Sequence, residues 1–429
     1  MNIIVITDVL WRNDNGVGNS YTNIFDGMSD VKIANICTQS GVSENTVSTA
    51  CFQISEGRLI RNLKDKTVPT GEVEIKIETH AVASGDDGIA KLIKRLRYQV
   101  FFWAREIIWK IGRWNSPELR QFIDDFKPDL IFAQVQDKMY LNRIVKFVQE
   151  YTRKPLMIYV WDDVYSMKQF RLSPLYWIDR LMQRRSIYGL AKRSSKVYAI
   201  SKEQVEEYAM ILKRPTGLLY KGRDFATEIE AKELNKPIEI LYTGNLYSGR
   251  YKTIARFCEY LNDINRNGQK AVLKIYSASP LSNKEIQAIN IDGTSYFMGR
   301  TSEAEVQKLQ TGADILLHIE PFTLKGSLLC RLSFSTKLVD YFNKKKCVFA
   351  VGHSRCSSMK YLKRNDSAVV CESYEEMGEK LTELLNNPEL INIYAKKAWD
   401  CGAENHRIED IQAGLKKDFE EAINESCTD

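Results

Sequence analysis

The sequence contains no uninterrupted apolar run approaching the roughly 18 residues that a membrane-spanning helix needs. It contains no Cys-x-x-Cys pair, and nine cysteines, an odd number, fit small buried side chains in a reducing compartment better than a disulfide framework. The four histidines, His80, His318, His353 and His406, stand without a metal-ligand neighbour at a recognised spacing. Internal repeats and low-complexity tracts are absent, and the opening Met1-Asn-Ile-Ile-Val-Ile-Thr-Asp lacks the basic start of a secretory signal. These absences lead to the expectation of a cytoplasmic protein with no structural metal and no cofactor.

What is present is an ordinary folded composition, 44% hydrophobic and 27% charged, spread over 429 residues. That length exceeds a single core, so two domains of about 200 residues are expected. The boundaries fall at 1–225 and 238–405, with a charged, apolar-poor linker at 226–237 and a final helix within 406–429.

Positive charge is concentrated between Ile89 and Trp114, where seven Lys or Arg face one acid, Glu106, and this +6 equals the net charge of the whole chain. Ile89, Leu92, Leu96, Val100, Trp103, Ile107, Ile111 and Trp114 recur every three or four positions, the stripe of an amphipathic helix. A basic helix rich in Trp and Phe suits the interface of an anionic membrane, where each cation contributes about 1 kcal/mol. Packing of the stripe on its own domain, with the charges as a solvated face, is the alternative. No nucleic-acid module accompanies the segment, and no nucleic-acid partner is expected.

The stretch from Glu320 to Gly352 reads as strand end, polar loop, short helix and strand. Asp314-Ile-Leu-Leu-His-Ile before the loop and Cys347-Val-Phe-Ala-Val after it are runs of buried-strand length, as in a parallel sheet. Ser335 is placed to cap a helix over Thr336–Asn343, starting at a carboxyl edge of the sheet, where open α/β folds hold ligands. Lys337 and Asp340, three apart, share a face of it. A cation beside free N–H groups and a carboxylate one turn deeper suit a diphosphate and a ribose. A capped core helix in any α/β protein is the plainer reading.

Phe334-Ser-Thr-Lys-Leu-Val-Asp-Tyr-Phe followed by Lys-Lys-Lys-Cys-Val-Phe-Ala resembles the Pro-Ser/Thr-Lys-Leu-x-Glu-Tyr-Leu-Ala-x-Gly-Lys-Pro-Val signature of retaining glycosyltransferases of family 4. The resemblance implies the GT-B fold: α/β, two Rossmann-like domains facing across a cleft, with a C-terminal helix crossing back to the first. It implies that Asp340 stands for the Glu that binds the donor ribose, with Glu320, Ser335, Thr336 and Lys337 around the same donor. The first Glu of the family's Glu-x7-Glu motif falls at Leu332 and is absent. Gly244-Asn-Leu-Tyr-Ser-Gly-Arg-Tyr-Lys is similar to the family's Gly-Arg/Asn-Leu-x-x-x-Lys loop, which grips the donor diphosphate. Gly244, Asn245, Arg250 and Lys252 fall there, and a guanidinium can bridge two phosphate oxygens; a solvated helix-start arginine is the alternative. Gly299 and Arg300 fall where the family holds the nucleobase.

In the first domain Gly16, Val17 and Gly18 resemble the family's glycine loop near acceptor and sugar, a plain flexible loop being the other reading. Asp162 and Asp163 end a strand at 156–161, at the edge where catalytic residues collect. Trp161 stands where the family often has His, and helix capping is the alternative for the two acids. No Asp-x-Asp occurs, against a metal-dependent transferase of the GT-A fold. The resemblance thus implies a metal-independent glycosyltransferase. Its partners would be a nucleotide-sugar donor and the hydroxyl of a glycan or lipid-linked glycan acceptor, with retention, in bacterial surface polysaccharide biosynthesis at the inner face of the membrane. A nucleotide-sugar 2-epimerase on the same fold and a non-catalytic partner subunit are the alternatives, the second because of Leu332.

Overall fold

The computed structural model describes residues 1–12, 16–74, 99–230 and 233–426. The chain divides into two compact units. One is Met1–Met167 with Arg171–Leu219 and Gln412–Asp429; the other is Lys168–Phe170 with Tyr220–Ile411. No described helix is long and apolar enough to cross a membrane.

The first unit begins with β1 (Asn2–Thr7), α1 (Gly16–Phe25), β2 (Lys32–Cys37), β3 (Ser48–Ile54), α2 (Glu56–Lys64) and β4 (Gly71–Val73). It continues with α3 (Gln99–Ile111), α4 (Pro117–Phe126), β5 (Leu130–Val135), α5 (Met139–Thr152) and β6 (Leu156–Val160). The helix α6 (Pro174–Ala191), β7 (Lys196–Ala199), α7 (Lys202–Leu212) and β8 (Thr216–Leu218) follow. The strands lie in the order β4-β3-β2-β1-β5-β6-β7-β8, all parallel except for the antiparallel edge strand β4. Parallel crossovers place helices on both faces, which is why β1, β5 and β6 are near-continuous apolar runs, buried throughout except at Asn2. Caps fix the helix starts: Ser116 accepts from Leu119 N ahead of α4, and Ser201 from Gln204 N ahead of α7.

One expectation changes here. Gly16, Val17 and Gly18 are the first turn of α1, which starts well before Tyr21, so they are not a free loop. Gly18 is there because the chain crosses close by, and a Cβ would collide with the Arg12 carbonyl. The basic segment is described only from Gln99, so its part at 89–98 lies outside the described residues, as does most of the strand expected over 72–79. In α3, Trp109 is buried and stacks on Tyr140 with ring centroids 4.5 Å apart. Trp109 lies outside the expected stripe, whose residues Ile107 and Ile111 are exposed.

The second unit carries β9 (Ile238–Thr243), α8 (Arg250–Asn265), β10 (Ala271–Tyr276), α9 (Asn283–Ile289), β11 (Ser295–Gly299) and α10 (Glu303–Gly312). Then come β12 (Ile315–Ile319), α11 (Leu324–Leu329), α12 (Lys337–Asn343), β13 (Cys347–Val351), α13 (Ser357–Arg364) and β14 (Val369–Cys371). The helices α14 (Tyr374–Asn386), α15 (Glu389–Asn405) and α16 (Ile408–Ser426) close the chain. The sheet order is β11-β10-β9-β12-β13-β14, parallel throughout. From Gln412 onward α16 belongs to the first unit, where Phe419 packs against Phe132 and Asp418 takes Lys196 at 2.6 Å. The stretch 220–225, expected in the first domain, goes with the second because Lys221 and Arg223 pair with Asp340.

In both units the strand order reverses in mid-sheet, between β1 and β5 and between β9 and β12. At such a switch point the loops leaving the carboxyl ends diverge and open a crevice. The candidate site of the second unit follows from that topology.

Candidate functional site

Two loops leave the second unit's switch point, one after β9 and one after β12. The first ends at Gly249, whose φ of 99° starts α8 with Arg250 as its first residue. Arg250 reaches across to the other loop: Nη2 donates to Glu320 Oε2 at 2.7 Å and Nε to Ile319 O at 3.0 Å. Nη1 donates to Asn245 Oδ1 at 3.3 Å, on the exposed side of the group. Glu320 is 3% exposed, and its other oxygen lies 3.5 Å from His318 Nε2. Burial alone would raise the Glu320 pKa, but the neighbouring His318 and the Arg250 charge outweigh it and hold it at about 2. Glu320 thus stays ionised and fixes the guanidinium, whose side chain keeps 19% of its surface exposed.

The short helix α12 supplies the next two groups. Its start at Thr336 has no side-chain cap, and Leu338 N bonds instead to Ser335 O at 3.0 Å. Ser335, expected to cap it, is itself held through its N–H by Ser358 Oγ at 3.0 Å, a partner 23 residues away that local spacing does not reveal. Lys337 turns toward β9, where Nζ donates to Thr243 O at 2.8 Å. Gly244 makes this possible, since a Cβ there would collide with that ammonium. Burial, aided by the nearby Arg250 charge, lowers the Lys337 pKa to about 8.

Asp340 does not pair with Lys337. Its oxygens each accept from Lys221 Nζ at 2.9 Å, and Oδ1 also accepts from Arg223 Nε at 2.8 Å. The carboxylate expected to meet a ribose is therefore already engaged by two cations in a buried cluster, with Asp340 8% and Lys221 6% exposed. Behind it, His406 lies with Nδ1 at 3.2 Å from Lys221 O and Nε2 at 2.8 Å from Tyr361 OH. Burial lowers the His406 pKa to about 4, so the ring is neutral at pH 7. Burial also lowers the Lys221 pKa, against the pull of Asp340. Lys221, Arg223, Arg250 and Lys337 gather around Glu320 and Asp340, with Glu303 also acting on Lys221, four cations against three carboxylates among the described residues. The excess of positive charge can balance an anion.

The remaining candidates are dispersed. Lys252 and Arg300 are exposed, and Gly299, with φ 73°, ends β11. Leu332, at the position of the family's first Glu, is a core residue only 1% exposed. Asp163 accepts from Ser166 N at 2.9 Å, lies 3.6 Å from Arg180 Nη2, and its carbonyl takes the same arginine at 2.6 Å. It ties the loop after β6, where no helix starts before Pro174, so it caps none. Asp162 is exposed, with its carbonyl held by Gln204 Nε2 at 3.0 Å. Among the described residues no group of His, Cys, Asp and Glu is arranged to hold a metal. Sequence reasoning missed Lys221, Arg223, His318 and His406. Two cations flanking Gly222 were the only local sign of the first pair, and their carboxylate stands more than a hundred residues away.

No protein-family profile matches the chain, and no curated protein matches it. Solved structures do. HepE from Anabaena in complex with UDP and glucose aligns with TM-score 0.60 at 12% identity, over 97% of this chain and 98% of that one. Sucrose-phosphate synthase from Thermosynechococcus elongatus aligns with TM-score 0.62 at 9% identity, over 98% and 99%. WaaG, a glycosyltransferase involved in lipopolysaccharide biosynthesis, aligns with TM-score 0.56 at 12% identity, over 97% and 98%. At such identities the likeness shows the fold, and the chain has the GT-B fold of these proteins.

Proposed function

We propose that the protein is a glycosyltransferase whose second unit binds a nucleotide-sugar. In this reading it passes the sugar, with retention, to a hydroxyl of a glycan or lipid-linked glycan acceptor. The observation that carries the reading is the Arg250–Glu320 pair bridging the two loops of the second unit's switch point, with Lys337 beside it. HepE carries UDP and glucose on the same fold. Departure of the sugar leaves a diphosphate with growing negative charge, and preoriented cations stabilise such charge more in the transition state than in the ground state. Glu320 keeps the Arg250 fork oriented, so little reorganisation is needed when the charge develops. Positive charge comes from side chains, so transfer is expected to survive removal of divalent metals by EDTA. The leaving phosphate would help deprotonate the acceptor, a role for which no protein base is required.

Thermal unfolding against UDP-, GDP-, TDP- and CMP-sugars tests the donor part. Ligand at 100 times its dissociation constant adds about 2.7 kcal/mol. No shift with any of the four at millimolar concentration would remove the reading. Proton NMR of the glycosidic product reads retention directly. The buried Leu332 favours one second reading, a subunit that binds donor without turnover, and stabilisation without transfer or hydrolysis would select it. Conversion of donor without acceptor would instead select the 2-epimerase. The reading extends to an acceptor of surface polysaccharide synthesis and to contact of the 89–114 segment with the inner face of a membrane. Ile107 and Ile111, exposed beside Lys110, support the second point.

A further inference from the structure

The C-terminal half of α6 buries Ile187, Leu190 and Ala191 in the usual way, but its N-terminal half is inverted. On the side facing its own unit it buries Asp179, Arg180 and Gln183, which are 7%, 4% and 8% exposed. Their polarity is used there: Asp179 accepts from Gln183 Nε2 at 2.6 Å and from Trp103 Nε1 of α3 at 3.2 Å, and Arg180 donates to the carbonyls of Asp163 and Ser166. The outward side, which a helix on a water-facing surface gives to polar groups, instead carries Leu175, Ile178, Leu181 and Met182, exposed by 40%, 49%, 56% and 48%. Leu172, just before the helix, is 87% exposed. Residues 175, 178, 181 and 182 recur at helical spacing, so they form one stripe, not scattered singles.

The charge around the stripe has one sign. From Lys168 to Lys196 the sequence holds eight Lys or Arg against one acid, the buried Asp179, a net of +7. Arg171, Arg185 and Lys192 are exposed among these cations. The first and last extend their charges over the rings of Tyr176 and Tyr188, at 5.4 and 4.7 Å. Through the Trp103 bond α6 is joined to α3, whose Ile107 and Ile111 are also exposed beside Lys110.

We propose that the outward face of α6 docks on an anionic lipid surface, its leucines, isoleucine and methionine entering the interface while Arg171, Arg185 and Lys192 meet the headgroup phosphates. An apolar stripe bordered by long cationic side chains and tyrosines is the arrangement that an interfacial helix requires. A second copy of the chain fits less well, because a two-fold contact sets each patch against itself and would bring these cations together. The surface belongs to a different element from the 89–98 stretch and does not depend on the donor site.

Sedimentation of the full chain with phosphatidylglycerol–phosphatidylcholine vesicles (1:1), at low salt, tests the proposal. Binding is expected, with at least a tenfold loss on pure phosphatidylcholine. Ile178→Ser with Leu181→Ser, and separately Arg185→Gln with Lys192→Gln, should each weaken vesicle binding at least tenfold. The UDP-induced thermal shift should stay unchanged, which separates failure here from failure of the donor reading. Both side-chain pairs are exposed, so the variants should fold, and an unaltered melting temperature would establish it. Equal vesicle binding by wild type and both variants would overturn the proposal. So would dimerisation of the wild type that the serine variant abolishes without any effect of lipid, or capture by acidic polypeptide with no binding to vesicles.

Discussion

Replacing Asp340 with alanine removes the carboxylate paired with Lys221 and Arg223, three hydrogen bonds at 2.8–2.9 Å. The two cations do not suffer equally. The Arg223 side chain is 31% exposed and can turn to water, whereas that of Lys221 is 6% exposed and cannot. Breaking a buried pair by removing one partner costs about 3–5 kcal/mol, mostly the stranded charge. For a unit of this size that is a fall in melting temperature of roughly 6–20 °C. Urea unfolding followed by circular dichroism measures it, and calorimetric titration with UDP well below the transition measures donor affinity in the same variant. The expected pattern is a large loss of stability with nucleotide affinity retained within a few-fold. Asp340→Leu combined with Lys221→Met should recover most of the loss, because an apolar pair of similar volume removes both charges from the interior. Stability within about 0.5 kcal/mol of wild type, together with a tenfold or greater loss of UDP affinity, would refute the reasoning. The carboxylate would then serve the ribose, as the family resemblance implies.

Arg250→Ala should weaken the nucleoside diphosphate of whichever donor the thermal screen selects at least tenfold and also destabilise the free protein by about 3 kcal/mol or more, since it strands the buried Glu320; unchanged diphosphate affinity in calorimetry would show that this arginine is structural alone. Lys337 is protonated below its pKa of about 8, so affinity for that nucleoside diphosphate should fall as pH rises through that value, and the step should vanish in Lys337→Met. For His406 the folded pKa of about 4 lies below the unfolded value of about 6.5. Between these values the unfolded chain binds a proton that the folded one does not, so stability falls as pH drops from 6.5 to 4, by up to about 3 kcal/mol. Urea midpoints across that range should be markedly flatter for His406→Gln. Gly18→Ala should lower the melting temperature by several degrees through collision with the Arg12 carbonyl, a loss of about 1–3 kcal/mol.

The sequence by itself determined the elements that local chemistry dictates. Apolar runs such as Ile3–Ile6 and Cys347–Val351 had to be buried parallel strands, and Ser116 and Ser201 had to start helices, because pattern and capping are properties of neighbouring residues. The cationic loop that ends in Arg250 was visible for the same reason. What Arg250 and Asp340 touch was decided elsewhere in the chain: Glu320 stands 70 residues from Arg250, and Lys221 stands 119 residues from Asp340. Only the crossing of β9 beside β12, and the packing of the 220–225 stretch on α12, brings those charges together. The net charge shows the same limit. The +6 of 89–114 equals the total, which hides the +7 of 168–196 behind acids spread over the rest of the chain. A sum over residues carries no direction, and α6 became legible as a surface only when the fold turned Asp179, Arg180 and Gln183 inward and left Leu175, Ile178, Leu181 and Met182 outside.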